Sequence, residues 1–296
     1  MKNSIKNVFL FLTALIWGLA FVAQSVAMDN LSPYVFNCLR FIIGGITLFL
    51  FCLFTKRYKE DDFKGLIKGG FLCGLVLFAA STLQQIGLIY TSVGKTGFIT
   101  VFYIVFVPIL SIFTKKKPDL KTWLCVLVAL YGLYLLCMKG DLTIEPADLI
   151  ILSSALLFAI HIMIIDKVGS NHDSIALSSI QFITAALIGL PSLFIETFSL
   201  EAVTNAMIPL LYTGFMSTCV AYTFQVIGQK DNNPTSVSLI LSLESVFAAL
   251  GGFFILHEMF TLKEFIGCVL IFAAVIVIQL PSYKKKESAN QQAFDH

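Results

Sequence analysis

The chain has 296 residues, 57% of them hydrophobic and 13% charged, with a formal net charge of +2 and a mean hydropathy of +0.87. Soluble domains are about 45–50% apolar and about 25% charged, so this composition excludes a soluble globular protein, and the net charge says little about partners because the charges are distributed by side of a membrane rather than displayed as a nucleic-acid-binding face. A membrane protein remains.

A helix needs about 20 apolar residues to cross the hydrocarbon core of a bilayer. Runs of that length predict ten spans, at 7–27, 34–55, 67–90, 95–114, 119–138, 147–166, 174–195, 206–229, 234–256 and 262–281, followed by a polar tail at 282–296. The first follows Lys2 and Lys6 and ends near Ser25-Val26-Ala27, which imitates a signal peptide; its run exceeds the usual h-region and nine spans follow, so a retained helix is expected. It carries Trp17 and Gln24. The second opens at Ser32-Pro33 and holds Asn37 and Arg40. On the third, Ser81, Gln84, Gln85 and Leu88 share one face at i, i+3, i+4, i+7 spacing. The fourth holds Tyr103, with Gly94 and Gly97 on a small-residue face. The fifth and sixth open near Lys117-Pro118 and Glu145-Pro146, and the sixth carries His161. Gln181 lies on the seventh, Tyr222 and Gln225 on the eighth. The ninth opens at Asn233-Pro234 and carries Glu244, with Ala248 and Gly252 behind it. The tenth opens with Thr261-x-x-Glu264, a capping-box pattern. Proline in a first turn sacrifices no helical hydrogen bond.

The connections are short enough to read sidedness from Lys and Arg. With the N-terminus inside, the inner segments hold Lys2, Lys6, Lys56, Arg57, Lys59, Lys64, Lys68, Lys115, Lys116, Lys117, Lys121, Lys167, Lys230, Lys284, Lys285 and Lys286, and the outer ones only Lys95, Lys139 and Lys263. Both termini are therefore expected in the cytoplasm, the protein being multi-pass in the cytoplasmic (plasma) membrane. The seven cysteines lie in apolar runs without C-x-x-C spacing or neighbouring histidines, and read as small core hydrophobes.

At an offset of 141 residues the sequence matches itself: Phe41-Ile42 with Phe182-Ile183, Thr82 with Thr223, Gln84 with Gln225, Gly87 with Gly228, Val105-Phe106 with Val246-Phe247. The chain is thus expected to hold two five-helix repeats, 1–140 and 141–281. Five is odd, so the second repeat enters the membrane from the opposite side. The fold class is all-α polytopic, ten transmembrane helices in two inverted repeats. Such repeats build alternating-access transporters with a midplane site, although duplication is also a simple route to a bundle.

Charges at the centre of a span cost about 2.5–3.5 kcal/mol on insertion scales. Arg40, whose repeat partner is the polar Gln181, reads as a site or vestibule residue or as a structural one. Glu244, partner of Tyr103, is too short to snorkel; it is protonated, paired with a cation, a proton carrier, or a polar link between helices. His161 is a second proton-site candidate and equally a satisfied core histidine. The candidate substrate-binding set is Trp17, Gln24, Arg40, Gln84, Tyr103, Gln181, Tyr222 and Gln225. No zinc-protease helix, nucleotide-binding P-loop or aspartate pair occurs, so no catalytic residue, metal or cofactor is assigned.

The segments LIWGLAFV (15–22), SPYVFNCLRF (32–41), TSVGKTGFITVFYIVFVPILSIF (91–113) and NPTSVSLILSLESVFAALGGFFILHEMFTLKEFIGCVLIFAAVIVI (233–278) resemble the drug/metabolite transporter superfamily, EamA-type, through essentially the whole chain. The family's W-G-x-x-F is matched by Trp17, Gly18 and Phe21, its proline-to-arginine spacing by Pro33 and Arg40, its mid-helix proline by Pro108, and its paired glutamates by Glu244 and Glu258. The chain departs at Ser245, where the family often has proline, which removes an expected kink, and at His257, where glycine is common. The resemblance implies a secondary transporter of a small metabolite such as an amino acid, often outward. The expected partners are a small-molecule substrate and membrane lipid, no nucleic acid, and a second copy of the chain if the small-residue faces of the fourth and ninth helices dimerise rather than pack internally. Proton-coupled export is the leading expectation; an uncoupled facilitator or exchanger, and a lipid flippase or lipid-acting enzyme, are the alternatives.

Overall fold

A computed structural model describes residues 3–59, 62–114, 117–137, 145–255 and 261–280, the side chains of residues 3, 252 and 255 excepted. The tail 282–296, the side chain of Gly252, His257, Glu258, Lys2, Lys115, Lys116 and Lys139 lie outside it. Ten helices among the described residues are long and apolar enough to span a membrane: α1 (Ser4–Met28), α2 (Pro33–Thr55), α3 (Phe63–Tyr90), α4 (Val93–Phe113), α5 (Leu120–Cys137), α6 (Pro146–Val168), α7 (Ser174–Ile195), α8 (Met207–Gln229), α9 (Pro234–Gly251) and α10 (Leu262–Gln279).

Side-chain caps set their starts, because the first N–H groups of a helix have no internal acceptor. Ser32 Oγ accepts from Val35 N at 3.2 Å, and Asn233 Oδ1 from Thr235 N at 2.9 Å, each ahead of a proline. Asp173 accepts from Ile175 and Ala176, and both arms of the Thr261–Glu264 capping box are made. α3 starts at Phe63, earlier than expected at 67, because Asp62 Oδ1 accepts from Gly65 N at 2.9 Å, an N-terminus that apolar run length does not register.

Two helices are interrupted near their centres. α4 is a helix over Val93–Thr100, a turn at Val101 and Phe102, and a second helix over Tyr103–Phe113. α9 breaks the same way between Pro234–Leu241 and Leu243–Ile255, at Ser242. Val101 and Ser242 are one repeat offset apart. The expectation that Ser245 abolishes a kink is therefore wrong. At both breaks the backbone tightens into three-residue bonds, Ile104 N to Val101 O at 2.9 Å and Ser245 N to Ser242 O at 3.2 Å. In α9 the hydroxyls of Ser238 and Ser242 bond back to Thr235 O and Leu239 O, an arrangement that bends helices without proline. Pro108, in α4, lies inside the second segment and not at the break. A third irregularity is a π-helical stretch of α8, Tyr212–Tyr222; its repeat counterpart in α3 is regular.

The packing obeys an exchange of halves. α1 lies against α8 and α9, while α6, its counterpart, lies against α3 and α4; α2 pairs with its own counterpart α7, and α5 with α10. Helix ends meet as the inverted topology demands. At the N-terminal face, Lys6 pairs with Asp231 at 3.0 Å and Arg57 with Asp173 at 2.7 Å; at the opposite face Lys95 pairs with Asp148 at 2.7 Å, and Ser32 hydrogen-bonds Glu196. Lys6 holds the exposed Asp231 carboxyl below its ordinary range through a hydrogen bond and its charge. Burial pushes the Tyr58 hydroxyl, beside Ser179, up to about 12.

Close helix approach requires glycine at several contacts, two of which bear on the site and on the α5–α10 pair. A Cβ on Gly18 of α1 would stand 2.6 Å from Glu244 O and 2.8 Å from Ala248 N on α9, and one on Gly267 of α10 would stand 2.5 Å from Gly132 O on α5. Ala248 thus faces α1 within the molecule. Small residues give membrane helices the contact that hydrophobicity cannot supply between helices in lipid.

Candidate functional site

A cavity with about 490 Å³ of empty space, counted with adjoining open solvent, lies among α1, α2, α3, α4, α6, α8 and α9. Its wall is built in repeat pairs: Trp17 with Phe158, Phe21 with Ile162, Gln84 with Gln225, Thr100 with Leu241, Tyr103 with Glu244. Each pair is separated by the 141-residue offset, so the cavity sits on the axis that exchanges the halves, between the breaks in α4 and α9.

The two breaks deliver Tyr103 and Glu244 to each other. Tyr103 Oη donates to Glu244 Oε1 at 2.9 Å, joining repeat-equivalent residues across the axis. Glu244 is 4% exposed, and the close seat of α1 on its backbone through Gly18 fixes its position. The W-G-x-x-F motif thereby gains a physical reading: Trp17 and Phe21 face the cavity while Gly18 lets α1 press on α9 at the buried carboxylate.

Arg40 is 2% exposed and lines the same wall. Its guanidinium makes one long bond, Nη1 to Gln24 Oε1 at 3.5 Å, its Nε has no partner, and the rings of Phe36 and Phe41 lie 5.6 and 4.9 Å away. No described carboxylate forms an ion pair with it. Cation–π contacts of this kind are worth roughly 0.5–2 kcal/mol, too little to offset burial of a charge. The cavity thus contains an unpaired cation and, separately, a carboxylate engaged by a tyrosine.

Tyr222 anchors the aromatic wall: its ring lies 4.5 Å from that of Trp17 and 6.1 Å from that of His161. Trp17 Nε1 donates to Ser217 O at 3.4 Å, inside the π-helical stretch. Such stretches occur frequently at functional sites. His161 Nε2 bonds Gln181 Oε1 at 3.0 Å, which places Gln181 behind His161 and not at the wall. Asn37 and Gln85 also stand back, bonded to Thr82 Oγ1 and Gln24 O. Of the other sequence candidates, Trp17, Gln24, Arg40, Gln84, Tyr103, His161, Tyr222, Gln225 and Glu244 converge on the cavity. Sequence reasoning missed Phe21, Thr100, Phe158, Ile162, Ser217 and Leu241 as lining residues. Phe158 was available from the repeat, as the partner of Trp17; Ser217 depends on the π-helical turn, which no residue pattern announces.

Among the described residues no group of three His, Cys, Asp or Glu could hold a metal. Two inverted five-helix repeats around a polar midplane cavity define the transporter class of membrane protein. The EamA-like transporter family model matches residues 4–138 and 145–280, and the chain belongs to that family. It is 33% identical to a protein of Archaeoglobus fulgidus described as an uncharacterized transporter, over 95% of this chain and 87% of that one. It is 27% identical to the uncharacterized transporter YwfM of Bacillus subtilis, over 97% of each chain. A solved crystal structure with 16% sequence identity superposes with a TM-score of 0.78, covering 93% of this chain and 96% of the other, which shows the shared fold.

Proposed function

We propose that this transporter exports a small zwitterionic metabolite, an amino acid or a close relative, across the cytoplasmic membrane with both termini in the cytoplasm, by alternating access of its two halves and in exchange for protons. It carries no catalytic function in this reading. The observation that carries the proposal is that Arg40 and Glu244 line one cavity without pairing with each other. A buried guanidinium is stabilised when an anion completes it, and a substrate carboxylate meets that need. The aromatic wall of Trp17, Phe158 and Tyr222 covers the rest of a small organic body. Glu244 is a carboxylate shielded from lipid and open to whatever enters the cavity, the position a proton-exchanging group requires. The lysine distribution supports the orientation.

The test is thermal stability of the purified protein against amino acids, nucleosides, sugars and quaternary amines. A ligand at about 100 times its dissociation constant stabilises by roughly 2.7 kcal/mol. A stereoselective amino-acid hit lost in Arg40→Gln is expected; hits confined to nucleosides, sugars or quaternary amines overturn the substrate class. The Tyr103–Glu244 bond favours one second reading, an uncoupled facilitator in which Glu244 only ties α4 to α9. Flux in proteoliposomes separates the two: under proton exchange, Glu244→Gln abolishes the response to an imposed pH gradient.

A further inference from the structure

The repeat places the same amide in both halves but in different surroundings. In the first half Gln84 Nε2 donates to Thr100 Oγ1 at 3.1 Å. One offset further on, Gln225 replaces Gln84, but Leu241 replaces Thr100 and offers no polar atom. Gln225 is 2% exposed, lines the cavity, and its Oε1 is buried without a hydrogen-bond partner. A buried acceptor left unmet is unfavourable, because it has lost its water without gaining a donor. In the same cavity Glu244 Oε1 accepts from Tyr103 and Gln24 Oε1 from Arg40.

We propose that the Gln225 amide is a specificity subsite for a hydrogen-bond-donor group of the ligand, an ammonium or amide N–H, separate from the anion pole at Arg40. The two unmet needs are opposite in kind. Arg40 has donors without an acceptor, and Gln225 has an acceptor without a donor. A ligand carrying an acceptor at one end and a donor at the other completes both, and a ligand lacking the donor leaves Gln225 buried and empty-handed. Thr100 accepts from the Nε2 end of Gln84, whereas the unpartnered atom of Gln225 is Oε1; a threonine hydroxyl at position 241 closes the subsite only by donating to that oxygen. The inference rests on the cavity being the substrate site.

The experiment measures binding to the full-length protein of each proteinogenic amino acid, its 2-deamino acid with hydrogen in place of the α-amino group, and its decarboxylated amine. Wild type is expected to prefer the amino acid to the deaminated acid by about tenfold, the worth of one such bond. Gln225→Leu and Leu241→Thr should both bring that ratio close to one, the second by tying up the amide without removing it. Leu241→Val, matched to threonine in shape, should preserve the ratio. A preference that survives Gln225→Leu or Leu241→Thr overturns the subsite, as does its loss in Leu241→Val. If wild type binds and Arg40→Gln abolishes binding while the Gln225 and Leu241 variants keep the ratio, the subsite alone fails. If wild type binds no member of the series, the reading of the cavity fails with it.

Discussion

Alanine at Gly18 tests whether the contact between α1 and α9 sets the position of Glu244. The added Cβ would lie 2.6 Å from Glu244 O, 2.6 Å from Phe247 Cβ and 2.8 Å from Ala248 N, against ordinary contacts of 3.4–4 Å. Two of these neighbours are backbone, so the helices must part by close to an ångström. Overpacking of this kind costs about 1–3 kcal/mol, partly offset by roughly 0.5–1 kcal/mol from replacing glycine in a helix. Gly97 is the control, because a Cβ there meets nothing within 4 Å; Gly97→Ala should keep the propensity gain and lose nothing. Unfolding in mixed micelles at increasing SDS should therefore rank Gly97→Ala at or above wild type and Gly18→Ala about 1–2 kcal/mol below it. Ligand binding should weaken in Gly18→Ala only, because Glu244 moves with its backbone. Equal stability of the two alanine variants would refute the reasoning.

Tyr103→Phe removes the donor to a buried carboxyl and should cost about 1–3 kcal/mol in the same unfolding measurement, whereas Glu244→Gln, which still accepts from Tyr103, should cost less; the reverse order would place their bond elsewhere. Asp231→Asn should destabilise at neutral pH. The folded-state value of Asp231 is depressed by Lys6, so its stabilisation is present above the ordinary carboxylate range, near pH 4, and lost as pH falls through the lower folded value. Stability curves of wild type and variant should converge in acid and approach each other in high salt; a gap independent of pH would exclude the Lys6 pairing as its source. Thr261→Ala should cost about 1 kcal/mol by opening the capping box, with faster hydrogen exchange confined to the first turn of α10; unchanged exchange there would show that the cap does not hold that turn.

The spans were legible because hydrocarbon thickness imposes one length on every helix, and inversion followed from an odd number of helices per repeat. Most cavity residues were legible because a polar side chain at the centre of a span has few tolerable places to point. Gln181 misled for that reason: it is buried and polar, but its amide oxygen is turned to His161 behind the wall. The break in α9 was illegible because proline is its familiar cause, and here serine hydroxyls and a tightened turn take that part. Ser217 was hidden because its direction depends on a π-helical turn, a change of period that leaves composition untouched.

Symmetry of backbone and asymmetry of side chains do different work in this cavity. Exchange of the halves maps the main helix contacts onto one another, which supplies two equivalent packings of opposite orientation. Identical side chains would present the same charge twice to one low-dielectric space: a second arginine at 181 beside Arg40, or a second glutamate at 103 facing Glu244. Two like charges there repel, and an oppositely charged ligand could not satisfy both. The chain carries Gln181 opposite Arg40, Tyr103 opposite Glu244, and Leu241 opposite Thr100. The tyrosine meets Glu244 from the other half, while Arg40 Nε and Gln225 Oε1 stay without partners; on the proposed reading these two are completed by a ligand that is itself unlike at its two ends.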